Sequence, residues 1–64
     1  MRTPHLDILR RQSDGSFIWI EAAGDIRVAE QRMSQLADSE PGEYFVFDQT
    51  SQQIVAKVAR SYGR

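Results

Sequence analysis

Residues 25–42, DIRVAEQRMSQLADSEPG, contain the signals for one helix and for both of its ends. Asp25 is a good N-cap, because its carboxylate can accept a hydrogen bond from a first-turn amide and favours the positive end of the helix dipole. Apolar residues then recur with a period near 3.6, at Ile26, Ala29, Met33, Leu36 and Ala37. Pro41 disfavours helical backbone at the residue before it. The stretch therefore predicts a helix over residues 26–39 with one apolar stripe.

Two strand-like stretches precede this helix and two follow it. Residues 5–11 and 17–22 flank an Asp14-Gly15 pair that is typical of a hairpin turn. Residues 43–48 and 54–59 flank a polar connection of hairpin length. The order ββαββ predicts an α+β fold in which one helix packs on one face of a four-stranded, mainly antiparallel sheet. We expect the sheet order 2-1-3-4, which keeps all neighbours antiparallel, whereas 1-2-3-4 requires a parallel central pair.

The length and composition indicate one small domain. We expect a single domain over residues 1–64, with an ordered core at about 5–59 and a flexible tail at 60–64. Hydrophobic residues at 41% and charged residues at 27% argue against disorder. The absence of cysteine excludes disulfides, thiolate metal sites and cysteine nucleophiles. No apolar stretch has the length of a membrane span or a signal-peptide core, so the cytoplasm is the expected location.

The helix can cover only one face of this sheet, although the strands carry apolar side chains on both. Side chains alternate along a strand, so Phe17 and Trp19 point to one face and the other apolar residues of the second strand point to the opposite face. The residues that we expect on the helix side are Leu6, Ile8, Ile18, Ile20 and Ala22. The third strand adds one apolar pair to the uncovered face, either Phe45 with Phe47 or Tyr44 with Val46, and the register is left open.

An uncovered aromatic patch on a small domain is typical of a binding surface. The leading hypothesis is a non-enzymatic protein–protein interaction module that buries this patch, or pairs through an edge strand, with a second copy of itself or with another protein. The residues on which it rests are Phe17, Trp19, Phe45 and Phe47. We expect no membrane partner and no small-molecule ligand.

The side chains that could perform acid–base chemistry are few and dispersed. His5 is the single imidazole, and we expect a solvated or sheet-edge histidine there. Glu21 and Asp48 lie near the ends of the second and third strands, where carboxylates are mostly solvated surface charges. No spacing of ligand residues is typical of zinc or calcium, and no glycine-rich phosphate loop precedes the helix. We therefore expect no catalytic residues, no metal and no cofactor.

Weak binding of single-stranded nucleic acid is the alternative hypothesis. Residues 1–11 and 51–64 are basic and the middle of the chain is acidic, with a formal net charge of −1. If the first and fourth strands share an edge or a face, basic side chains could lie beside aromatic rings on which bases stack. The candidates are Arg10, Arg11, Lys57 and Arg60. The net negative charge disfavours nucleic acid as a partner.

Two stretches carry a resemblance to a known group of proteins. Trp19-Ile20-Glu21-Ala22 and, after the helix, PGEYFVFD at residues 41–48 resemble the W-x-E-A and P-G-E-Y-x-V-x-D patterns of small bacterial proteins with no assigned activity. The likeness covers about residues 17–58. It implies a similar strand–helix–strand core and a bacterial, cytoplasmic setting, and it implies no site residues.

Overall fold

The computed structural model describes residues 5–61. Within them the elements are β1 (Leu6–Arg11), β2 (Phe17–Ala23), α1 (Ile26–Ser39), β3 (Gly42–Asp48) and β4 (Gln53–Arg60). The strands form one sheet in the order β2-β1-β3-β4, and every neighbouring pair is antiparallel. The predicted α+β fold, ββαββ order and sheet order are confirmed, and each predicted element ends within one residue of its observed limit.

Helix α1 begins and ends where its capping signals predict. Asp25 has extended backbone, and its Oδ1 accepts a hydrogen bond from the Arg27 amide at 2.8 Å. At the other end the Glu40 amide donates to the Leu36 carbonyl at 2.8 Å, and the Tyr44 hydroxyl donates to the Glu40 carbonyl at 2.6 Å. These bonds satisfy backbone groups that helix ends otherwise leave without partners. The last one also joins the end of α1 to β3.

The core lies between α1 and one face of the sheet. Its buried members are Leu6, Ile8, Ala29, Met33, Ala37, Tyr44 and Val46. The alanines allow the helix backbone to approach the sheet, and the unbranched Met33 side chain adapts to the space between them. Three residues expected in this core, Ile18, Ala22 and Ile26, are outside it. Ile26 is exposed at the start of α1, and Ile18 is 37% exposed because it lies on an edge strand beside Arg10.

Both edge strands contain a β-bulge. The pairing of β2 with β1 skips Ile20, which shifts the register of the following residues. Ala22 consequently pairs with Asp7 and lies on the face away from α1, where simple alternation placed it on the helix side, and Ala23 packs against the core instead. The pairing of β4 with β3 skips Val55 in the same way. Bulges on edge strands disfavour pairing with another chain.

Local hydrogen bonds shape the two hairpin turns. In the β1–β2 turn, Asp14 Oδ1 accepts hydrogen bonds from the Ser16 hydroxyl at 2.6 Å and from the Ser16 amide at 2.9 Å. These bonds stabilise the ionised carboxylate and lower the pKa of Asp14 below its usual value. Gly15 adopts a φ of 91°, which its missing Cβ permits. In the β3–β4 turn Gln52 has a φ of 58°, a conformation that is uncommon for residues other than glycine.

Ion pairs hold the helix and its C-cap to the sheet. Among the described residues they are Arg32 with Glu21 at 3.0 Å, Arg60 with Asp38 at 2.9 Å, and Arg10 with Glu40 at 3.4 Å. Arg60 is thus the last residue of β4 and has a partner on α1, so it is not part of the tail expected at residues 60–64. Residues 62–64 of that expected tail lie outside the described residues.

Candidate interaction surface

The face of the sheet that α1 leaves uncovered carries three rows of side chains. Paired residues of adjacent strands point to the same face, so the register defines each row. Read from β2 through β1 and β3 to β4, the rows are Ala22-Asp7-Phe47-Ile54, Trp19-Leu9-Phe45-Lys57 and Phe17-Arg11-Glu43-Ala59. We refer to these residues as the open face, and to the rows as its first, middle and third rows.

Large apolar side chains of the open face are exposed along both edge strands, β2 and β4. On β2, Trp19 is 61% exposed and Phe17 is 49% exposed. On β4, Ile54 is 48% exposed, and the bulged Val55 next to it is also exposed. These two exposed groups lie at opposite edges of the open face, with the half-buried Leu9 and Phe47 between them. Apolar side chains grouped on one face in this way are typical of a binding surface.

The Trp19 indole is exposed and yet held in one orientation. Its Nε1–H donates to Asp7 Oδ1 at 3.1 Å, and Gln49 Nε2 donates to the second oxygen of the same carboxylate, Oδ2, at 2.6 Å. The single polar atom of the indole is therefore satisfied within the chain, and the remaining exposed surface of the ring is apolar. An oriented ring of this kind loses little conformational freedom when it is buried by an apolar partner.

Phe45 lies near the centre of the open face but is itself covered, being 9% exposed. The Phe17 ring meets it edge-on, with ring centroids 5.3 Å apart and an interplanar angle of 80°. The Lys57 ammonium nitrogen lies 5.6 Å from the centroid of the Phe45 ring. A partner that approaches this part of the face therefore meets Phe17 and Lys57 before it meets Phe45.

The register decides which aromatic pair of the third strand faces away from the helix. Phe45 and Phe47 lie on the open face, whereas Tyr44 and Val46 are buried in the core. Phe17, Trp19, Phe45 and Phe47, the residues singled out from the sequence, are thus brought together on one face. Their exposure differs widely, since Trp19 is accessible and Phe45 is covered. Their role in binding stays a prediction.

The interaction residues predicted from the sequence did not include Asp7 and Leu9, although both lie on the open face. Both alternate with the core residues Leu6 and Ile8, so the period of two along β1 places them on the opposite face. That signal was present in the sequence. The contact of Asp7 with Trp19 had no such signal, because it depends on the register of two strands.

No protein-family model, curated protein or solved structure matches this chain. The resemblance to small bacterial proteins therefore stays a prediction, and so does the bacterial setting that it implies. Function has to be inferred from the chemistry of the chain's own surfaces.

The four basic residues of the nucleic-acid hypothesis are divided between the two faces of the sheet. Arg10 and Arg60 lie on the helix side, each in an ion pair already described. Arg11 and Lys57 lie on the open face, and Arg11 Nη1 is 3.5 Å from Glu43 Oε1. Strand β3 separates β1 from β4, so the first and fourth strands share no edge, although Arg11 and Lys57 do share the open face.

The candidate acid–base residues do not converge. His5 is exposed before β1, Glu21 Oε2 accepts a hydrogen bond from Arg32 Nε, and Asp48 Oδ1 accepts one from the Thr50 amide. Within residues 5–61, no three carboxylate or imidazole side chains are grouped so that they could hold a metal ion. In the same part of the chain, no helix has the length and hydropathy needed to cross a membrane.

Proposed function

We propose that this chain is a cytoplasmic, non-enzymatic protein–protein interaction module that buries its open face against another protein surface. The observation that carries the proposal is the Trp19 indole, which is 61% exposed while its N–H is bonded to Asp7. Tryptophan is enriched among the residues that dominate binding energy at interfaces. A ring that is already oriented avoids part of the entropy loss of association.

The open face is favoured over an edge strand as the binding surface. An added strand would have to pair with β2 or β4, the two edges of the sheet. Both edges are bulged, at Ile20 and at Val55. Bulged edge strands present an irregular row of backbone donors and acceptors, which disfavours strand addition.

Single-stranded nucleic acid is the second candidate partner for the same face. It is favoured by Lys57, whose ammonium group stands over Phe45 and could bind a phosphate beside a stacked base. It is disfavoured by Asp7 and Glu43, which bring two negative charges to the same face. Binding of this kind would weaken steeply as salt is raised, whereas burial of an apolar face would not.

Site-specific photo-crosslinking tests the proposal. A benzophenone derivative of phenylalanine replaces Phe17, and the control chain carries the same group at Gln31, which is exposed on α1. After irradiation in the host cell, we expect one dominant protein adduct from position 17 and no corresponding adduct from position 31. A protein adduct to a second copy and one to a different protein both support the proposal. A nucleic-acid adduct supports the second candidate.

Adding Trp19→Ala to the position-17 chain checks that the adduct reports binding through the open face. Truncation of a tryptophan that dominates an interface costs about 2 kcal/mol of binding free energy, roughly thirtyfold in affinity, so we expect the adduct to be largely lost. Circular dichroism of the variant shows whether the fold is retained. Equal adducts at positions 17 and 31, or an adduct that survives Trp19→Ala in a folded chain, would overturn the proposal.

A further inference from the structure

We infer that the partner of the open face is a second copy of this chain, stacked face to face about a two-fold axis that runs parallel to the strands. The inference rests on the proposed function and adds to it the identity and the orientation of the partner. It is carried by the order of charged and apolar side chains along the three rows of the open face.

A two-fold axis parallel to the strands places each row over the same row of the second copy, read in the opposite direction. In the middle row, Trp19 then faces the second copy's Lys57, and Leu9 faces the second copy's Phe45. Each contact occurs twice, because a two-fold interface is self-complementary. The ammonium group that lies over Phe45 within the chain is thereby placed between two aromatic rings, one from each copy.

The third row gives the strongest electrostatic match. Arg11 faces the second copy's Glu43, and the pair is repeated by symmetry. Because Arg11 and Glu43 are also neighbours within one chain, with Arg11 Nη1 3.5 Å from Glu43 Oε1, the four charges alternate in sign around a square. At the edge of this row, Phe17 faces the second copy's Ala59, which leaves room for the ring. No two like charges are directly opposed.

The first row is compatible with the same axis. Ala22 faces the second copy's Ile54, a small side chain against a half-exposed branched one. Asp7 faces the second copy's Phe47, and both Asp7 oxygens already accept hydrogen bonds within their own chain. The carboxylate therefore keeps its partners when water is removed from this row.

A two-fold axis across the strands gives a poorer match. It places the middle row over itself, so that the two Lys57 ammonium groups oppose each other, and it places Glu43 over Phe47. It does bring Arg11 over Asp7, so each axis makes two contacts between opposite charges, but only the axis across the strands also opposes two like charges. Like charges directly opposite across an interface are destabilising. The strand-parallel axis is therefore the preferred orientation.

The area of the open face is sufficient for a weak dimer. Four strands about 4.8 Å apart, each with outward residues spread over about 20 Å, give a flat footprint of roughly 400 Å² per copy. Side-chain relief increases the accessible area, so two copies bury on the order of 1,000 Å² in total, near the lower limit for specific interfaces. We therefore expect a dissociation constant on the order of micromolar or weaker.

A charge-exchange experiment tests both the partner and the orientation. The variants are Arg11→Glu and Glu43→Arg, each measured alone and as an equimolar mixture by sedimentation equilibrium over a wide concentration range. In either variant alone, every cross-copy contact at the centre of the third row becomes a like-charge pair, and we expect dimerisation to weaken by about tenfold or more. In the mixed dimer every such contact is again between opposite charges, so we expect the mixture to regain dimers.

Each variant also places two like charges at positions 11 and 43 of its own chain. This repulsion within the chain does not change when the other variant is added, so it cannot explain the recovery of dimers in the mixture. Wild-type chain that keeps the mass of one copy at every concentration would overturn the inference. The proposed function would then still be tested independently, by the adducts formed from position 17. A wild-type dimer whose variants are not rescued by mixing would overturn the strand-parallel orientation.

Discussion

Replacing Asp7 by Ala removes the two hydrogen bonds that converge on its carboxylate. Trp19 Nε1 loses its acceptor at 3.1 Å, and Gln49 Nε2 loses its acceptor at 2.6 Å. Both donors are in exposed side chains and can bond to water instead, so each lost bond costs about 0.5–1.5 kcal/mol. We expect the free energy of unfolding to fall by about 1–3 kcal/mol, which lowers the Tm of a chain this short by about 4–24 °C.

Fluorescence reports the local effect of this change directly, because Trp19 is the single tryptophan of the chain. In folded Asp7→Ala we expect lower steady-state anisotropy and faster quenching by acrylamide, since the indole is no longer tethered. Asp7→Asn is the matched control. It keeps an acceptor oxygen for the indole N–H, so we expect a smaller change in both signals.

A double-mutant cycle isolates the contact between Asp7 and Trp19. Asp7→Ala and Trp19→Phe are made singly and together, and their free energies of unfolding are measured in urea. We expect a coupling energy of about 0.5–1.5 kcal/mol, the size of one hydrogen bond. Zero coupling together with unchanged acrylamide quenching would refute the reasoning, because packing alone would then hold the indole.

Two further predictions concern the scaffold. Tyr44→Phe removes the buried hydroxyl that donates to the Glu40 carbonyl at 2.6 Å, and we expect the free energy of unfolding in urea to fall by about 1–2 kcal/mol; an unchanged urea midpoint would contradict this. Ser16→Ala removes the main cause of the lowered pKa of Asp14, so an NMR titration is expected to show that pKa rising toward the usual value for aspartate. Because the folded pKa of Asp14 lies below its unfolded value, its ionisation stabilises the fold above the unfolded pKa, and this stabilisation is lost as the pH falls through the folded pKa. Acidification below about pH 4 should therefore destabilise wild type more than Ser16→Ala, and an equal loss would contradict this.

The helix and the strands could be predicted because their signals are local. Asp25 caps the helix through an amide two residues away, and Pro41 acts on the residue before it. The sheet order followed from one further condition, that all neighbouring strands are antiparallel. Such signals are contained in a few consecutive residues. In this chain the tertiary packing favours the same helix and strands that the local signals predict.

The composition of the open face could not be predicted in full, because it depends on register between distant strands. The bulges at Ile20 and Val55 have no local signal, and the first of them moved Ala22 to the opposite face. The carboxylate that orients the indole also needs Gln49, which is 42 residues away from Asp7. A one-residue shift in pairing reverses the face of every residue beyond it, so alternation alone cannot identify a surface.

Folding and association are linked in a sheet that has a helix on one face only. A chain this short buries only about 60% of the surface that its unfolded chain exposes, and Trp19 and Phe17 on the open face remain largely exposed in the free chain. A partner that binds only the folded chain adds a second covering layer and raises the apparent stability by mass action.

Two classes of substitution then differ in a measurable way. Tyr44→Phe acts within one copy, so it lowers the free energy of unfolding by the same amount at every protein concentration. Trp19→Ala removes an interface contact, so it lowers the apparent free energy of unfolding most at concentrations where the complex is populated. If stability is independent of protein concentration in the wild type and in both variants, the open face does not bind a second copy of the chain.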